Sequence, residues 1–190
     1  TGERRGAISK LKISDCVFEG AGDKIRITRT PNDPADKRRD KPAQKTLSHD
    51  AYVPPEIMKK LDGYIQHQRS RFTASELHEF VFIAEIDSKG TIGDPMSTKN
   101  INYIFEVLSN ALGYHLHPHL VRHKWNEIFS DLTKNMSDAQ AEKLRKYTMG
   151  WSKTSTMVDT YNAFKHSVEV REIQRARQAE ITSAGVHDDK

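Results

Sequence analysis

The sequence predicts a mostly helical α+β domain with a small antiparallel sheet near its N-terminus, and three observations support this. Residues 17–28 alternate short β-branched runs with a glycine turn, as strands of a small sheet do. From Pro54 onward, apolar residues recur at helical spacing in segment after segment. The single Cys16 can form neither an internal disulfide nor a cysteine-rich metal site, so packing has to hold the fold. A chain of 190 residues has room for one sizeable core, and one domain with a tail is expected.

Taken in order, residues 4–12 set Ile8 and Leu11 at helical spacing. Val17-Phe18, Gly20-Ala21-Gly22 and Ile25 to Thr28 then read as strand, tight turn and strand. Residues 30–44 carry prolines, no large apolar residue and the run Asp36 to Lys41, which predicts an exposed, mobile loop. Leu47, Ala51 and Val53 mark an extended segment. Pro54-Pro55 opens a helix with Ile57, Met58, Leu61, Tyr64 and Ile65 on one face. After a polar loop from Asp87 to Thr98, a second long helix aligns Ile101, Ile104, Phe105, Leu108 and Ala111 as a core stripe. Further helices are expected over 118–132, 138–148, 155–163 and 166–181; Ser137 and Gln140 supply a capping box for the second of these. There is no internal repeat.

Lys and Arg outnumber Asp and Glu by 30 to 26, and the pI is about 9.1, a balance that leans toward an anionic partner. No run reaches the length of a membrane span, and the first residues lack a signal pattern, so a soluble, cytoplasmic protein is expected. Thr1 to Arg4 reads as the start of a helix with no earlier chain to pack on it, as in a fragment of a longer protein.

Four separated pieces carry the chemistry: Thr1-Gly2-Glu3-Arg4, Lys45-Thr46, His119-Leu120-Val121-Arg122, and Gly150-Trp151 followed by Tyr161. A guanidinium suits phosphate because its planar fork binds two oxygens and keeps its charge. His119 and Arg122 lie one helical turn apart and project to the same side. His115, His117 and His123 crowd the same stretch, but the spacing of a zinc H-E-x-x-H helix is absent, so no metal is expected. In order and spacing the pieces resemble the tyrosine recombinase (phage integrase) family from residue 1 to about residue 165.

That resemblance implies an integrase-like catalytic domain over 1–165, truncated at its N-terminus, and a C-terminal helix and tail over 166–190 that docks on a neighbouring subunit. It also implies a site-specific recombinase that breaks and rejoins double-stranded DNA through a 3′-phosphotyrosyl link, working as a homo-oligomer, a tetramer, on DNA, with no cofactor and no small-molecule substrate. The implied roles are Tyr161 as nucleophile, Arg4 and Arg122 as the clamp on the phosphate, Lys45 as general acid, His119 as a positioning or proton-accepting group, and Trp151 at the place usually held by histidine. Lys37, Lys41 and Arg29 rival Lys45, because the long loop leaves its register open. Lys37, Arg38, Arg39 and Lys41 are expected to grip backbone phosphates.

Two departures stand out. Ala7 occupies a place where the family often has an acid, so any orienting role of that acid is missing or supplied elsewhere. Tyr161 follows Trp151 by ten positions, one more than the usual interval. An inactive DNA-binding relative, a relaxing enzyme of the type IB topoisomerase kind and a helical interaction module therefore stay open as alternatives.

Overall fold

The computed structural model describes residues 1–185, and the chain divides into two compact units, Thr1–Lys153 and Thr154–Lys190. Residues 186–190, the end of the expected tail, lie outside the described residues.

The sheet in the first unit has three antiparallel strands, β1 (Cys16–Val17), β2 (Lys24–Ile27) and β3 (His49–Tyr52), in the order β1-β2-β3. Ile25 pairs with Ala51 and Ile27 with His49, and strand alternation turns these four inward while Arg26 and Tyr52 face out. Ile25, Ile27 and Ala51 join Ala7, Leu11, Met58, Ile65 and Val81 in the core.

Helix α1 (Arg5–Ile8) is one turn long, shorter than the helix expected over 4–12. The chain beyond it pairs laterally instead: Ile13 N–H donates to Glu79 O at 2.8 Å and Val81 N–H to Leu11 O at 2.8 Å, so these backbone groups are spent on an extended neighbour. The loop over 30–44 has no regular structure, as expected, but it is pinned. Asp33 pairs with Lys12 at 2.8 Å. Asp36 is fully buried and takes two hydrogen bonds from the Arg38 guanidinium, both at 2.8 Å. Arg38 also donates to Ser9 O at 2.9 Å and to Met96 O at 2.7 Å, and its guanidinium lies 4.8 Å from the centre of the Phe80 ring. The expectation of a mobile charged loop is corrected: Asp33, Asp36 and Arg38 are folded inward.

Helix α2 (Pro55–Gly63) begins at the proline and runs on into a wider turn through Gln68. Met58 and Ile65 are buried, whereas Ile57 stays exposed. Helix α3 (Thr98–Leu112) is capped by Ser97, which accepts the Asn100 N–H at 3.2 Å. Of its predicted core stripe only Ile101 is buried; Ile104 and Leu108 remain 44% and 42% exposed, because no other element of the first unit covers that face.

Helices α4 (Pro118–Leu132) and α5 (Asp138–Thr148) match the expected bounds. Local signals set both starts: proline occupies the first turn of α4, and Ser137 accepts the Gln140 N–H of α5 at 3.4 Å. The second unit holds α6 (Met157–Gly185), one continuous helix where two were expected, since no proline or glycine interrupts it before Gly185. No described helix is long and apolar enough to cross a membrane.

Candidate nucleic-acid cleft

A cleft of about 1040 Å³ opens in the first unit, and Arg4, Lys45, His119 and Arg122 all line it. These residues come from four places in the sequence: the entry to α1, the end of the long loop, and two positions of α4. Glu3, Arg5, Lys41, His115 and His117 also reach it.

Arg122 is the fixed point of the cleft, with an exposure of 1%. One of its Nη atoms donates to Gly2 O at 2.6 Å, which ties the second turn of α4 to the residue just before Glu3 and Arg4. The Asn126 side chain, one turn further along, donates to Arg122 O at 2.9 Å. Trp151 is buried, with its ring centre 5.8 Å from the guanidinium carbon. The indole thus backs Arg122 and is not among the residues lining the cleft.

Lys45 is held differently. Along 41–46 the side chains alternate: Lys41, Ala43 and Lys45 are exposed, while Pro42, Gln44 and Thr46 are buried. This alternation aims both lysines into the cleft although the segment precedes β3 and is not part of it. Its seat on α1 depends on Gly6, where a Cβ would come 2.3 Å from Ala43 O; only glycine permits that approach.

His119 is exposed at the start of α4. Partial desolvation of its ring, followed by the nearby His123, His117, Arg4 and Arg122, lowers its pKa below the ordinary histidine value. The shift favours the neutral imidazole, the form that can accept a proton. The His115 and His117 rings lie 5.2 Å apart, and His117 accepts the Leu120 N–H at 3.3 Å, so it serves as the cap of α4.

Lys37 and Arg39 are exposed, and Lys41 lines the cleft, its ammonium 3.5 Å from Asp33 O. Arg38 differs: its guanidinium is committed to Asp36, Ser9 and Met96, so its expected grip on DNA is corrected to a structural role. Tyr161 stands at the fifth position of α6, in the second unit, and its side chain lies outside the described residues. Sequence reasoning missed Glu3 and His49, a buried pair with Nε2 and Oε1 3.0 Å apart. Strand alternation carried the signal, because His49 shares the inward face of β3 with Ala51 and a polar group there needs a partner.

No family model matches the sequence, and no curated protein matches it. Among solved structures, the architecture of a helical unit with a small antiparallel sheet is similar to that of a recombinase. The structure in question is the crystal structure of XerA recombinase, with a TM-score of 0.57 and 19% identity, covering 93% of this chain. The chain spans 52% of the length of that recombinase.

Proposed function

We propose that this chain is the catalytic part of a tyrosine-type site-specific DNA recombinase. The observation that carries the reading is the cleft: Arg4, Lys45, His119 and Arg122, scattered over the sequence, line one cavity. The likeness in fold to a recombinase supports it independently.

In this reading the phosphodiester of a duplex enters the cleft. Arg4 and Arg122 clamp the two non-bridging oxygens, where charge grows as the phosphorus becomes pentacoordinate. The Tyr161 phenol forms a bond to phosphorus while its proton passes to the neutral His119 ring. The bond from phosphorus to the 5′ oxygen breaks, and Lys45 gives that oxygen a proton. A 3′-phosphotyrosine results, and attack by a second 5′ hydroxyl reverses the step. The bond energy is conserved throughout, so neither a nucleotide nor a metal is needed. The exposed Lys37, Arg39 and Lys41 hold flanking phosphates, and assembly on DNA as a homo-oligomer brings two exchanging strands together.

The test is trapping of a covalent adduct on a nicked duplex whose cleaved end diffuses away. The wild-type protein forms a protein–DNA band resistant to denaturant, and Tyr161→Phe forms none while keeping its duplex affinity. Absence of the band from both, with duplex binding intact, would establish an inactive DNA-binding relative instead.

A further inference from the structure

Each ring nitrogen of His49 faces an acceptor: Nδ1 lies 2.9 Å from Leu47 O and Nε2 lies 3.0 Å from Glu3 Oε1. A neutral imidazole has one N–H and cannot donate to both. The site therefore calls for the imidazolium opposite the Glu3 side chain, although the neighbouring positive charge of Arg122 works against it. The two side chains are 2% and 1% exposed, so water cannot take either partner's place. Glu3 Oε2 has no hydrogen-bond partner among the described residues, and Oε1 faces His49 Nε2.

The pair sits where the segments of the cleft meet. Glu3 is the residue before Arg4, and Gly2, one step earlier, accepts the Arg122 hydrogen bond. Leu47, two residues after Lys45, accepts from His49 and donates its N–H to Gly150 O at 2.7 Å. Gly150 has a φ of +60°, and a Cβ there would lie 2.4 Å from His49 Nδ1, so a glycine next to Trp151 is what admits the ring.

We propose that Glu3 and His49 are positioning residues, a buried proton-holding pair that fixes Arg4, Lys45, Arg122 and Trp151 in one arrangement. The proposal rests on the reading of the cleft as a phosphodiester site, and it supplies from position 3 the orienting acid that Ala7 cannot provide.

The charged groups facing His49 are Glu3 from the N-terminal segment and Arg122 from α4; Leu47 and Gly150 contribute backbone atoms. Burial works against the imidazolium, but the hydrogen bonds to Glu3 and to Leu47 O outweigh it, and the His49 pKa lies above the ordinary value. The stabilisation is therefore full below the unfolded histidine pKa of about 6.5 and is lost as pH rises through the higher folded value. Loss of that proton leaves a negative charge beside Arg122 and one acceptor unserved.

Nitrogen-15 NMR of the wild-type protein should show both His49 nitrogens protonated at pH 7, and the Arg122 guanidinium resonances should shift in Glu3→Gln. A singly protonated His49, or Arg122 resonances unmoved by Glu3→Gln, would overturn the proposal. In the adduct assay, Glu3→Gln should react about 10- to 100-fold more slowly with duplex affinity kept within about twofold, as misplacement of cleft groups would produce. The double variant Glu3→Gln/His49→Gln restores a neutral pair with N–H donors; it should recover most of the rate and lose the alkaline fall expected of the wild type. Single variants that keep both the rate and the pH profile would also overturn it. A wild-type protein that forms no adduct would defeat the recombinase reading, and the two NMR measurements would then decide the pair by themselves.

Discussion

Arg122 and Lys45 address the same cleft from opposite kinds of structure. Arg122 stands in the second turn of a long helix, nearly inaccessible, with its guanidinium between Gly2 O and the Trp151 ring. Lys45 is exposed on a segment without regular structure, held in place by its buried neighbours Gln44 and Thr46. The difference matches the two tasks proposed for them. Charge growing on phosphate oxygens is best met by a group that does not have to reorganise, whereas a proton donor has to reach a departing oxygen and be recharged from solvent.

Three experiments bear on that contrast. The largest effect is expected at Arg122: Arg122→Ala should slow adduct formation by about 10³-fold, and Lys45→Ala by about 10²-fold. Replacing the leaving 5′ oxygen with sulfur, which departs without a proton, should rescue Lys45→Ala to near the wild-type rate and leave Arg122→Ala impaired. Rescue of both variants, or of neither, would erase the distinction between clamp and proton donor.

A smaller effect separates the inward half of the long loop from its outward half. Arg38→Ala strands the buried Asp36 carboxylate and removes the link to Ser9 O and Met96 O, so urea unfolding should report a loss of about 2 kcal/mol. Lys37→Ala, at an exposed position, should change stability by less than about 0.5 kcal/mol. The smallest effect belongs to DNA binding. Lys37→Ala and Arg39→Ala should each lower the slope of log affinity against log salt by about one, while leaving sequence preference unchanged. A slope unchanged by either substitution would place the duplex away from this loop.

Much of the fold was legible in the sequence, and the legible parts share a cause. The bounds of α4 and α5 follow from Pro118 and Ser137, residues whose effect on a helix start is local. The inward pairs of the sheet follow from strand alternation, and four of the six residues expected to be catalytic line one cavity. What was not legible depends on distant partners. Periodicity put an apolar stripe on α3 but could not say what would cover Ile104 and Leu108. The charges of residues 33–38 look like a solvated run until Lys12, Ser9 and Met96 are brought beside them. Glu3 lies inside a motif read for its arginine, and its partner is 46 residues away.

The hydrogen bond from Arg122 to Gly2 O spans 120 residues, so it closes nearly the full length of the first unit. Loops of that size form late, after local helices have spent little entropy to appear. The placing of Arg122 against the N-terminal segment thus rests on a long-range contact, whereas the helices and the exposed lysines need only local ones. Under the proposed function, the capacity to break a DNA strand would then belong to the completed fold and to no local segment of it.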